Sequence, residues 1–131
     1  MHFAYEAPQQ GEIIVFDETT TYAAKIFRHL FSRSPYHAPG EDGSLIVADA
    51  AANEPVVLHG RLPRERAAMI NLVLPWRRKD PPKWETQLPL RTRAMVLAGD
   101  LLVLAGWPDR VPESDPVGAF EGRLGGELRV I

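Results

Sequence analysis

A chain of 131 residues suits one domain with a sizeable core, burying roughly two-thirds of the surface its unfolded form exposes. Its formal net charge of −2 and pI near 6.1 give no electrostatic basis for binding nucleic acid or acidic lipid. Cysteine is absent, which excludes disulfides, thiolate metal sites and a cysteine nucleophile and leaves the redox compartment open.

In chain order, residues 1–8 lack the basic and apolar regions of a signal peptide. An apolar strand is predicted over 12–16, an acidic turn at Asp17 and Glu18, and a second strand over 20–24. Ile26, Phe27, Leu30 and Phe31 have the spacing of an amphipathic helical turn. A surface loop rich in Pro and Gly follows over 32–43. Strands are expected over 45–48 and, after a polar turn at 49–53, over 55–59. Pro63 and Pro75 bracket a short helix expected over 64–72, and 77–83 is a charged connector. Strands over 84–90, 93–98 and 101–105 come next, the last two joined by the two-residue turn Gly99-Asp100. The runs 94–98 and 101–105 are apolar throughout, as in strands buried on both faces. A loop rich in Pro, Asp and Gly over 107–125 leads to a last strand over 127–131. No apolar run approaches the ~18–20 residues of a membrane-spanning helix.

The order of strand, acidic turn, strand, long loop and glycine-led strand occurs twice. Phe16 maps onto Ala98 and Leu45 onto Leu128, offsets of 82 and 83 residues, as an internal repeat requires. The expected core comprises Ile14, Phe16, Leu45, Val47, Trp84, Met95, Leu97, Leu102 and Leu104. Nothing matching a fourth strand follows the second copy, so the chain is expected to be a fragment of a larger protein.

The stretch Trp84-Glu-Thr-Gln-Leu-Pro-Leu-Arg-Thr-Arg-Ala-Met-Val-Leu-Ala-Gly-Asp-Leu-Leu-Val-Leu-Ala-Gly106, with Gly125-Gly-Glu-Leu-Arg-Val-Ile131, resembles the bacterial pyrroloquinoline-quinone-like (quinoprotein-dehydrogenase-like) β-propeller repeat proteins. Gly11-Glu-Ile-Ile-Val-Phe-Asp17 and Gly43-Ser-Leu-Ile-Val-Ala-Asp49 resemble the preceding blade. The resemblance spans most of 11–59 and 83–131 and implies an all-β fold of antiparallel propeller blades with long inter-strand loops. One blade would cover about 11–90 and an incomplete second about 91–131. It also implies a parent that is commonly exported to the periplasm or beyond, and packing of Trp84 between blades. Enzymes of this fold seat the quinone on an aromatic floor, commonly over a disulfide, beside calcium held by carboxylates and amides. This chain has no cysteine, and its three tryptophans match no such site.

Other chemistry is sparse. His2, His29, His37 and His59 lack metal-ligand spacing. Asp109, Glu113, Asp115 and Glu121 crowd one loop without the order of an EF-hand, as a solvated acidic loop does; calcium is the alternative there. Ser32, Ser34, Ser44 and Ser114 lack a nucleophile elbow and a matched base. Gly122, Gly125 and Gly126 fit turns rather than a phosphate loop. Arg77, Arg78 and Lys79 beside Trp76 form a small basic patch of the kind found in solvated connectors. The expectation is a non-enzymatic propeller segment without cofactor or metal, presenting loops 25–43 and 106–125 to a protein or small ligand and its flanks to neighbouring blades. The alternatives are a piece of a quinone-dependent dehydrogenase, or a carbohydrate-binding propeller using Tyr36 or Trp107.

Overall fold

A computed structural model of the chain describes residues 7–25, 43–57 and 76–131. The β-branched run at Ile13, Ile14 and Val15 favours extended backbone and forms β1 (Ile13–Phe16). Asp17 ends it, because its Oδ1 accepts from the backbone N–H of Thr19 at 2.7 Å and of Thr20 at 2.8 Å, which turns the chain into β2 (Thr20–Lys25). β3 (Ser44–Ala50) pairs antiparallel with β2. β4 (Pro55–Val57) pairs instead with β5 (Trp76–Arg78) in a separate two-stranded ladder. β6 (Trp84–Leu88) returns to β3, so the first sheet has the order β1-β2-β3-β6.

Pro89 interrupts what the sequence presents as one strand over 84–90. It has no N–H to give to a ladder, and the chain passes there from the first sheet to the second. The second sheet holds β7 (Leu90–Ala98), β8 (Leu101–Pro108) and β9 (Glu127–Val130) in that order. Gly99 has φ 61 while Asp100 has no positive φ, the combination a type II′ hairpin needs with glycine first. Arg93 is the extra residue of a bulge between Thr92 and Ala94.

The fold is therefore all-β and antiparallel, built from sheets that do not close, with one short helix among the described residues. Strand order β1-β2-β3 and order β7-β8-β9 are both antiparallel meanders, matching the internal repeat. The fourth strand of the first sheet is β6, not the segment expected over 55–59, which pairs with β5 in the region expected to be a connector. The two sheets pack face to face on Ala24, Ile46, Leu90, Met95, Leu102 and Leu104, with Ile13, Val15, Tyr22, Leu88 and Leu97 around them. At the corner the Ser44 hydroxyl donates to the Leu90 carbonyl at 2.7 Å and accepts from the Thr92 N–H at 3.1 Å, tying the sheets where Pro89 turns the chain.

Val47, Met95, Leu102 and Leu104 are buried as expected and Leu45 and Leu97 partly so, but Ile14, Phe16 and Trp84 are not core residues. The pleat decides this for Ile14 and Phe16, because Ile13 and Val15 take the inward face of β1 and leave Phe16 75% exposed, whereas Trp84 shares the inward face with Ala48 and Tyr22 but opens the edge strand β6. The loop expected over 107–125 contains the end of β8 and a helix, α1 (Pro116–Glu121). Asp115 caps its N-terminus by accepting from the Gly118 N–H at 3.0 Å, Pro116 starts it, and Gly122 at φ 75 ends it. The helical segments expected over 26–31 and 64–72 lie outside the described residues, as do most of the loop over 25–43 and residues 58 and 59 of the expected fourth strand. No helix among the described residues is long and apolar enough to cross a membrane.

Candidate functional site

Residues directly opposite in an antiparallel ladder share a face, so the outer side of β7–β8–β9 follows from its register. Ala94 lies opposite Ala105, Val96 opposite Val103 and Ala98 opposite Leu101. Val130 continues from Val103 and Leu128 from Ala105. Every one of these positions is apolar. Val96 is 58%, Leu101 53%, Leu128 72% and Val130 57% exposed, so the strands expected to be buried on both faces are covered on one. These residues form one contiguous exposed apolar face across the three strands.

At one end this face runs into a groove of about 360 Å³ lined by Arg93, Ala105, Trp107, Gly126 and Leu128, among others. The bulge aims Arg93 there, with its guanidinium 4.5 Å from the centre of the Trp107 ring, a cation–π contact. Arg91 holds the inner side. Its Nη2 donates to the Ala119 carbonyl of α1 at 2.8 Å, and its Nε lies 3.5 Å from Asp109 Oδ1. Burial lowers the Arg91 pKa, and the Asp109 charge opposes that shift. Asp109 also accepts from the Gly43 N–H at 2.6 Å, which ties the start of β3 to the end of β8.

The acidic residues of the 107–125 region are thus divided. Asp109 serves the corner. Asp115 caps α1 and pairs with Arg123 at 2.8 Å, and that hydrogen bond, together with the one from Gly118, holds its carboxyl below the usual range. Glu121 pairs with the same arginine, and Glu113 is exposed. Among the described residues no three His, Asp or Glu side chains are gathered as a metal site would require. The four histidines, Ser32, Ser34 and Tyr36 lie outside the described residues, Ser44 is the buried corner hydroxyl and Ser114 is exposed.

The basic patch is also divided. Arg77 and Lys79 are exposed, whereas Arg78 reaches Asp49 with two hydrogen bonds of 2.6 and 3.1 Å beneath the first sheet. That covered face also carries Lys25, 3% exposed, whose pKa burial lowers to about 8, helped by the neighbouring Arg78 charge. The apolar outer face was legible in the sequence as two continuous apolar runs. What the runs lacked was any sign that one side would be left open. Comparison with family profiles, curated proteins and solved structures finds no match to this chain.

Proposed function

We propose that the chain is a non-catalytic β-sheet interaction module that docks another antiparallel sheet on the outer face of β7–β8–β9. The observation that carries this is the wholly apolar, half-exposed face formed around Val96, Leu101, Leu128 and Val130. The occupant in this proposal is the same face of a second copy, because a two-fold axis sets like face on like face. The chain already packs in that manner internally. Ile13 and Val15 correspond in the repeat to Met95 and Leu97, and all four turn toward one shared core.

The propeller reading uses the same face, on which a following blade would lie, and it is favoured by the recurrence of the meander at an offset of 82 to 83 residues. Blades related by rotation about a common axis stack unlike faces, however, whereas the two meanders here meet like to like. Binding of quinone belongs to the propeller reading alone. Sedimentation velocity across a concentration series tests the dimer. The wild-type chain is expected to self-associate and Leu128→Asp to remain monomeric with unchanged far-UV circular dichroism. A wild-type chain that stays monomeric at every concentration overturns the proposal.

A further inference from the structure

A second concavity lies between the two sheets, on the side of β7–β8 facing away from the docking face. It has a volume of about 400 Å³, within the range of small-ligand clefts. Tyr22 of β2 and Trp84 and Thr86 of β6 line it, together with Leu97, Asp100 and Leu102 of the β7–β8 hairpin. The two rings sit 6.0 Å apart between centroids and tilted by 48°, and Trp84 is 39% exposed. Leu97 and Leu102 supply an apolar surface. Among the described residues no hydrogen bond engages the Tyr22 hydroxyl, the Trp84 indole N–H, the Thr86 hydroxyl or the Asp100 carboxylate. The lining thus combines two aromatic rings, an apolar floor and polar side chains that water reaches.

We propose that this cleft is a carbohydrate-binding site that takes a pyranose ring. A sugar ring has an apolar C–H face, which suits Trp84 and Tyr22, and a rim of hydroxyls that both donate and accept. Asp100 accepts from ligand hydroxyls, the Trp84 indole N–H donates to them, and the two protein hydroxyls can do either. The tight turn at Gly99 fixes where Asp100 stands, and β6 sets Trp84 and Thr86 on one face, two residues apart. The aromatic residues singled out in the sequence for such a role do not form this site. Tyr36 lies outside the described residues, and the Trp107 ring is covered by Arg93.

The test is titration of the full chain with glucose, galactose, mannose and N-acetylglucosamine and their disaccharides. Amide chemical shifts and tryptophan fluorescence are the readouts. At least one sugar is expected to bind saturably and to shift the amides of Tyr22, Thr86 and Asp100. Asp100→Asn should weaken it about tenfold through loss of a charge-assisted hydrogen bond, and Trp84→Ala should abolish it. Trp84→Phe keeps an aromatic ring and should retain partial binding, which separates loss of the site from loss of the fold. The monomeric Leu128→Asp variant should bind as well as wild type, so this site stands or falls independently of the docking face. If no sugar in the panel shifts those three amides, or if tetramethylammonium does so and the sugars do not, the proposal is overturned.

Discussion

The outer faces of the two sheets differ at their inner strands, although Ile14 and Phe16 of β1 are exposed on the first sheet as well. The first sheet buries Thr21, Ala23, Lys25, Val47 and Asp49 on the side away from the shared core, so charged side chains lie under cover. The second sheet presents alanine, valine and leucine to solvent at the corresponding positions. Charge tolerates burial only with a partner, and Asp49 has one in Arg78. Apolar surface needs no partner to persist but gains free energy by acquiring one. The covered part of the first sheet holds paired charge, and the open face of the second is the one the proposed docking would use.

Several substitutions would break or sharpen that contrast. The largest effect is expected from Asp49→Ala, which leaves Arg78 without its bidentate partner in a mostly buried setting and should cost about 3–5 kcal/mol in denaturant unfolding. A loss below about 1 kcal/mol would mean that solvent reaches the pair. Next comes Leu104→Ala on the inner face of β8, expected to cost about 2–5 kcal/mol, against less than about 0.5 kcal/mol for Val96→Ala on the outer face of β7 when measured on the monomer. Equal costs would erase the distinction between the faces. Asp115→Ala removes the cap of α1 and should cost about 1 kcal/mol, leaving both sheets intact by circular dichroism.

The last effect is a slope with pH. Lys25 holds its proton up to about 8 in the folded chain and up to 10.5 in the unfolded one. Between those values the unfolded state binds more protons, so the Lys25 contribution makes stability rise with pH across that window and stay level below it. Unfolding measured from pH 7 to pH 10.5 should show this rise, and Lys25→Met should flatten it. A wild-type curve no steeper than that of the variant would place Lys25 in contact with water.

Local chemistry made much of this architecture legible in the sequence. Alternating or continuous apolar runs located eight of the strands, and Gly99-Asp100 specified a tight hairpin because glycine alone takes its backbone geometry without strain. The helix α1 leaves no periodic trace in the sequence because six residues carry too little of it. Its signals were Asp115, Pro116 and Gly122, the cap, first-turn proline and terminating glycine of a short helix. β5 carries the signature of a connector, since Arg77 and Arg78 have no strand propensity, and pairing with β4 supplies what propensity does not. The cleft is not legible as a motif. Tyr22, Trp84, Thr86 and Asp100 span three segments of chain, and only strand pairing and the packing of one sheet on the other bring them together.

The sequence by itself determined that the chain is all-β and antiparallel, that a meander occurs twice, and where its main hairpin turns. These are properties of short segments, set by side-chain branching, turn residues and hydrophobic period. The tertiary structure decided which side of each strand is covered. That choice made Phe16 an exposed residue and Val15 a packed one, broke the 84–90 run at Pro89 into two sheets, and left an apolar face open on β7–β8–β9. A strand with apolar residues on both sides carries no preference for either, so only the arrangement of neighbouring sheets can choose between them.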